Sequence, residues 1–238
     1  LDAMGLAYPT DDWTADEWTI DDFTQYAQLM TQDTNGDGVI DQWGYDTSRG
    51  TEWVTYAYGA QRIDPATGTF NTNDPTLVAS LEHRRRLQYE MHISPRDGDA
   101  DHLGLSWLPF MGQRIGLVNA GIWMTDDLIE EGTGNWGIAA LPKVESRASM
   151  TTIDAMGIGR TSENKELAWE LIEYLTTDPE GSVAFAQAAV RGIPTGGWGQ
   201  RDYLEKLVGI NPRVNPTTIL QALDYGAIDV FRLTIAFK

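Results

Sequence analysis

Cysteine is absent from the 238 residues, and histidine occurs only as His83, His92 and His102. The lack of thiols excludes disulfide bonds, thiolate nucleophiles and Cys-type zinc sites. Basic residues are also scarce, because 17 Lys and Arg stand against 35 Asp and Glu, a formal net charge of −18. This balance argues against nucleic acid and anionic membranes as partners, since both are bound through basic surface. No run approaches the roughly 18 apolar residues of a membrane span.

The sequence lacks the usual catalytic motifs as well. It has no H-E-x-x-H and no G-x-S-x-G segment. Gly132-Thr-Gly-Asn-Trp-Gly137 fits the letters of a dinucleotide-binding loop, but acidic residues precede it and a strand pattern follows it, whereas such a loop joins a strand to a helix. With so many acids, some carboxylate pair will always suit a glycosidase. We therefore predict no catalytic residues and no required cofactor.

One acidic loop has the spacing of a calcium site. The loop offers side-chain oxygens at positions 1, 3, 5 and 9, from Asp33, Asn35, Asp37 and Asp41. It also offers the backbone carbonyl of Val39 at position 7. Position 6 is Gly38, which permits the sharp turn, but position 12 is Gly44 in place of a bidentate Glu. Two interpretations stay open: a structural Ca²⁺ completed by a more distant carboxylate or water, or a tight Asx-rich turn without metal.

Helix signals and short apolar runs alternate along the chain, which is typical of an α/β fold. Thr19 and Asp22 form a capping box before an apolar face, and Asp74-Pro75 marks a second helix start. Ser162 is predicted to cap a helix whose apolar face includes Leu167, Leu171 and Leu175. Short strands are predicted near residues 115–120, 136–142 and 151–159, irregular structure over 49–73 and 192–199, and helices near 201–208 and 216–225.

Tryptophan is abundant for a chain of this size, with nine residues. An exposed indole beside polar side chains suits a sugar ring, whose C–H face stacks on the aromatic ring while its hydroxyls hydrogen-bond. The alternative for each tryptophan is core packing, and we assign Trp136 and Trp169 to the core. Trp123 in Gly121-Ile-Trp-Met and Trp198 in Gly-Gly-Trp-Gly are the strongest stacking candidates.

Several segments, taken in order, resemble the extracellular solute-binding proteins of ABC importers. Asp-x-Asn-Gly-Asp-Gly leads to Trp43-Gly-Tyr, and Phe110-Met-Gly-Gln-Arg-Ile-Gly-Leu is similar to the family's F-x-x-G-x-x-A-M segment. The matching elements continue with Gly121-Ile-Trp123, Trp136-Gly-Ile-Ala-Ala-Leu-Pro, Ser162-Glu-Asn-Lys-Glu-Leu-Ala-Trp and Gly192-Ile-Pro-Thr. Each piece is weak alone, but their shared order is fairly specific.

The resemblance implies a type II periplasmic-binding-protein fold, represented mainly by its C-terminal lobe. Residues 1–149 and 193–238 would form that lobe, and residues 150–192 would cross to the N-terminal lobe. The binding residues implied are Trp53, Gly121, Trp123, Pro194 and Trp198. Such a protein binds a small-molecule solute, here a sugar or oligosaccharide, outside the cytoplasm and delivers it to permease subunits without chemical change.

The resemblance also implies that most of the N-terminal lobe lies before Leu1. The apolar face of the helix in residues 162–176 then lacks its usual cover, so we expect either a fragment or self-association through that face. The alternative to solute binding is a secreted carbohydrate-active enzyme or a calcium-stabilised carbohydrate-binding domain.

Overall fold

The computed structural model describes residues 1–47, 52–96, 99, 107–131, 135–152, 155–188 and 197–228. Nine α-helices lie in these ranges: α1 (Ile20–Met30), α2 (Glu52–Ala57), α3 (Pro75–Tyr89), α4 (Trp107–Met111), α5 (Met124–Glu131), α6 (Lys165–Thr177), α7 (Pro179–Ala188), α8 (Gly197–Ile210) and α9 (Pro216–Asp224). The strands are β1 (Trp43–Asp46), β2 (Ile115–Val118), β3 (Ser149–Thr151) and β4 (Gly226–Ile228), and Asp2–Met4 forms a 3₁₀ turn. The α/β class is confirmed. Within the described helices, none is long and apolar enough to cross a membrane.

The chain divides into two compact units. The first comprises Leu1–Ala120, Ile138–Thr152 and Thr217–Lys238, and the second comprises Gly121–Gly137 and Ile153–Pro216. The first unit therefore holds α1 to α4, all four strands and α9 from its second residue onward. The second unit holds α5 to α8.

The first unit is built around α1. Its start is fixed by the expected capping box, in which the Thr19 hydroxyl accepts the Asp22 N–H and the Asp22 carboxylate accepts the Thr19 N–H. The helix buries Phe23, Ala27 and Met30, the face that the sequence spacing indicates. One core cluster contains Trp18, Phe23, Ala27, Tyr45, Leu87 and Ile93.

Two parallel strand pairs complete the first unit. β1 pairs with β2 in the register Trp43 to Ile115, and β3 pairs with β4 in the register Ser149 to Gly226. Helix α3 begins at the predicted Asp74 cap, whose carboxylate accepts the N–H of Thr76 and Leu77.

The second unit is helical in its described parts. α7 packs between α6 and α8, and the break between α6 and α7 falls at Asp178-Pro179, as the sequence predicts. At this corner a Cβ on Gly181 would come 2.2 Å from the Tyr174 carbonyl oxygen, so only glycine fits.

Six sequence expectations are wrong. The N-cap of α6 is Asn164 and not Ser162, and residues 197–199 begin α8 within the stretch 192–199 that is expected to be irregular. Residues 52–57 form helix α2 where irregular structure is expected, because their apolar side chains are buried there. Residues 136–142 form no strand, and the strand near 151 ends at Thr151, with residues 153 and 154 outside the described ranges. Trp136 is buried as expected, but Trp169 is 55% exposed on α6.

Candidate functional site

Trp123 presents the most accessible of the predicted stacking rings that the structure describes. It lies immediately before α5, in a turn where the N–H of Met124 donates to the Gly121 carbonyl at 3.0 Å and that of Thr125 donates to the Ile122 carbonyl at 3.0 Å. Its side chain is 44% exposed although the next two residues are buried. A partly exposed indole on an ordered turn is suited to stacking against an apolar ring face.

The Trp123 indole lies directly against Gly121. A Cβ built on Gly121 would come 2.0 Å from Cζ3 and 2.1 Å from Cη2 of Trp123. Real Cβ atoms do not approach other atoms so closely, so any larger residue at 121 must displace the ring. The structure thus brings Gly121 and Trp123 together, while their part in binding stays a prediction.

The turn that carries Trp123 is tied to α8 by two buried hydroxyl groups. The Thr125 hydroxyl is hydrogen-bonded to the Tyr203 hydroxyl and also donates to the Ile122 carbonyl at 2.6 Å. Tyr203 is 1% exposed and Thr125 is 5% exposed. Sequence reasoning missed both residues, because a tyrosine in a helix pattern carries no signal that its hydroxyl reaches a turn 78 positions away.

The other predicted binding residues are Trp53, Trp198 and Pro194. Trp53 lies on α2 with 1% exposure, and its ring meets Phe23 edge-on at 6.3 Å between centroids. It offers no open face, so the structure does not support stacking by Trp53. The backbone places Trp198 as the second residue of α8. Pro194 lies outside the described residues.

The acidic loop is held by its own side chains. The Asp33 carboxylate accepts backbone N–H groups from Gly36 and Gly38 at 2.7 Å and from Asp37 at 3.3 Å. These donors, Gly38 first, lower the pKa of the Asp33 carboxyl. Asn35 and Asp37 likewise accept N–H groups within the loop, and Asp41 accepts the Thr34 N–H.

This arrangement is the Asx-rich turn that the sequence offers as one interpretation. Among the described side chains, no group of three or more His, Asp or Glu is placed to hold a metal ion. Val39, at position 7, is 63% exposed. Calcium binding by the loop remains a prediction.

Comparison with known structures identifies the fold. An ABC substrate-binding protein from Listeria monocytogenes in complex with cycloalternan superposes with a TM-score of 0.77 at 19% identity, over 95% of this chain and 55% of that one. UspC from M. tuberculosis superposes with a TM-score of 0.70 at 20% identity, over 96% of this chain and 60% of that one. The maltose/maltodextrin-binding domain MalE from Bdellovibrio bacteriovorus bound to maltotriose superposes with a TM-score of 0.68 at 20% identity, over 94% of this chain and 56% of that one.

These likenesses define the class: the chain has the α/β fold of type II periplasmic binding proteins, over somewhat more than half the length of the structures it matches. Among curated protein sequences, none matches significantly. The sequence profile described as "Bacterial extracellular solute-binding protein" matches residues 1–181, more than half of the chain. The chain therefore belongs to the bacterial extracellular solute-binding protein family, and the resemblance drawn from its motifs is confirmed.

Proposed function

We propose that the protein binds a sugar or oligosaccharide outside the cytoplasm and delivers it unchanged to the permease subunits of an ABC transporter. The observation that carries the proposal is the exposed Trp123 indole lying on Gly121 at the start of α5. Membership of the solute-binding family supports it, as do structural neighbours described with cycloalternan and maltotriose.

The physical basis is the match between an indole and a sugar ring. The C–H face of a pyranose stacks on the ring and loses little hydration, whereas its hydroxyl groups need polar partners. A protein of net charge −18 repels anionic solutes, which favours a neutral carbohydrate over a phosphorylated one.

The test is calorimetric titration of the complete gene product with a panel of oligosaccharides, monosaccharides and polyols. Trp123→Ala should weaken binding about tenfold or more, equivalent to about 1.4 kcal/mol. Phe70→Ala is the control, because it also removes an exposed aromatic ring, 60% exposed, and Phe70 lies outside the α6 surface proposed below for self-association. Equal affinity of Trp123→Ala and the unaltered protein would refute stacking by Trp123.

The enzymatic alternative makes a different prediction. A binding protein returns its oligosaccharide intact, whereas a glycoside hydrolase generates new reducing ends. Prolonged incubation with any oligosaccharide that binds, followed by a reducing-end assay, separates the two. We expect no increase over the sugar alone.

We also propose that this chain self-associates through α6. That helix has no buried residue, although it carries a broad apolar surface. Its exposed apolar side chains are Leu167, Trp169, Leu171 and Tyr174. Exposed apolar surface of this kind is typical of interaction sites. Light scattering should give a dimer mass that Leu171→Glu reduces to the monomer, and a monomer mass for the unaltered chain at high concentration would refute this.

A further inference from the structure

The hydrogen bond between the Tyr203 and Thr125 hydroxyl groups has a defined donor and a defined acceptor. A hydroxyl group has one hydrogen to donate and two lone pairs to accept. The Thr125 hydroxyl donates to the Ile122 carbonyl, so its oxygen must accept from the Tyr203 hydroxyl. Because both side chains are nearly inaccessible, water does not compete for this bond.

The bond acts on the segment that presents Trp123. Thr125 lies two residues beyond Trp123, and Ile122, whose carbonyl it holds, lies one residue before it. The Tyr203 hydroxyl therefore anchors the residues on both sides of the exposed indole. Gly121 lies so close to the ring that a Cβ added to it would come 2.0 Å from Cζ3. The ring position is thus fixed by one close approach and one buried hydrogen bond.

Tyr203 is itself held rigidly. Its neighbours on the same face of α8, Leu204 and Leu207, are 9% and 0% exposed, and α8 packs extensively on α7. The same helix has Trp198 as its second residue, five positions before Tyr203. One hydrogen bond therefore joins the start of α5 to the middle of α8, the helix that also contains Trp198.

We propose that Tyr203 is a positioning residue for solute binding: its hydroxyl, through Thr125, sets the orientation of the Trp123 indole. The proposal rests on the proposed function, since it assumes that Trp123 contacts the sugar. Tyr203 itself need not touch the ligand. Its contribution is preorganisation, which raises affinity by reducing the cost of ordering the turn on binding.

The experiment uses Tyr203→Phe, which keeps the packed ring and removes only the hydroxyl. Tryptophan residues are labelled with fluorine, and the Trp123 resonance is assigned by its loss in Trp123→Phe. We expect Tyr203→Phe to shift or broaden that resonance in the sugar-free protein and to weaken sugar binding about three- to tenfold, the range for one buried hydrogen bond. Ser182→Ala is the control, because it removes a buried hydroxyl from α7 in the same unit.

Further variants separate positioning from general destabilisation. Thr125→Val should weaken binding at least as much as Tyr203→Phe, because it also removes the bond to the Ile122 carbonyl. The double variant should lose no more than Thr125→Val alone, because Tyr203→Phe then has no bond left to break. In a Trp123→Phe background the affinity loss from Tyr203→Phe should shrink. An unchanged Trp123 resonance in Tyr203→Phe would overturn the proposal even if sugar binding proves correct. A shifted resonance with unchanged affinity would also overturn it, because the orientation set by Tyr203 would then not matter for binding. Trp123→Ala tells this failure from failure of the proposed function, since it weakens binding only if Trp123 contacts the sugar.

Discussion

Gly44 in β1 lies directly against the backbone of Ala27 in α1. A Cβ on Gly44 would come 1.8 Å from the Ala27 carbonyl oxygen and 2.4 Å from its carbonyl carbon. The Gly44 N–H donates to the Thr31 hydroxyl at 3.0 Å, and that hydroxyl donates to the same Ala27 carbonyl at 2.8 Å. Strand and helix therefore meet through their main chains, which no other residue at position 44 would allow.

We expect Gly44→Ala to lower the free energy of unfolding by about 3 kcal/mol or more, because the strand must move away from α1 to relieve the overlap. Urea unfolding monitored by circular dichroism measures the change. Gly159→Ala is the control, since a Cβ there meets no atom within 4 Å. Similar stability of the two variants would contradict the close contact.

Gly44 illustrates which features of the structure can be predicted from the sequence and which cannot. A calcium-loop pattern predicts a carboxylate at position 12, but packing against Ala27 requires glycine there. Local signals act over a few residues, so the Thr19 cap, the Asp74 cap and the break at Asp178-Pro179 are predicted correctly.

Signals that depend on distant partners are not visible in the sequence. The burial of Trp53 and the helical state of its segment follow from packing against Phe23. The exposure of Trp169 depends on what lies beside α6. The Thr125–Tyr203 hydrogen bond joins segments far apart in sequence, and no periodicity of the sequence predicts it.

The Gly121 contact predicts a binding effect without loss of fold. Gly121→Ala places a methyl group 2.0 Å from the Trp123 ring, so the ring must leave its position, and because Trp123 is 44% exposed this displacement does not disturb the core. We expect the affinity for sugar to fall about tenfold, with little change in the unfolding midpoint. Gly137→Ala, in the same unit and with open space at its Cβ, should bind normally. An affinity loss shared by both variants would point to a general effect instead.

The acidic loop gives a quantitative calcium prediction. Because position 12 supplies no carboxylate, we expect weak binding with a Kd of about 0.1–1 mM, the range of extracellular calcium modules. Calorimetric titration with CaCl₂ should show this heat, and Asp33→Asn should abolish it. Asp64→Asn is the control, since Asp64 is another exposed turn carboxylate, accepting the Ala66 N–H. No heat with Ca²⁺ beyond that with Mg²⁺ would favour the metal-free turn.

Arg147 joins two backbone segments of the first unit through three carbonyl groups. Its guanidinium donates to the carbonyl of Leu141 and to those of Ala15 at 2.5 Å and Glu17 at 2.7 Å, and the residue is 7% exposed. Arg147→Met keeps much of the side-chain volume but leaves these carbonyls without their donor. We expect about 3 kcal/mol of destabilisation, measured by urea unfolding. The exposed Arg213→Met should change stability little, and comparable losses from both would argue against the bridging role of Arg147.

His83 makes stability depend on pH above the range where carboxylates titrate. The ring is half-buried beside Tyr58, and its Nε2 atom is buried without a hydrogen-bond partner in the described structure. Burial lowers the His83 pKa, Arg86 lowers it further, and Asp21 opposes them. The unfolded chain, with its ordinary histidine pKa of about 6.5, therefore binds a proton first as the pH falls.

Protons that bind the unfolded state more tightly pull the equilibrium toward unfolding, so the stability present at neutral pH is lost as the pH drops below about 6.5. We expect the free energy of unfolding to fall between about pH 7 and pH 5 and this slope to flatten in His83→Phe, which keeps an aromatic ring beside Tyr58. His92→Gln, which alters an exposed histidine just beyond α3, should keep the slope. If His83→Phe retained the full slope while His92→Gln lost it, the proton would bind elsewhere and the buried environment of His83 would not be its cause.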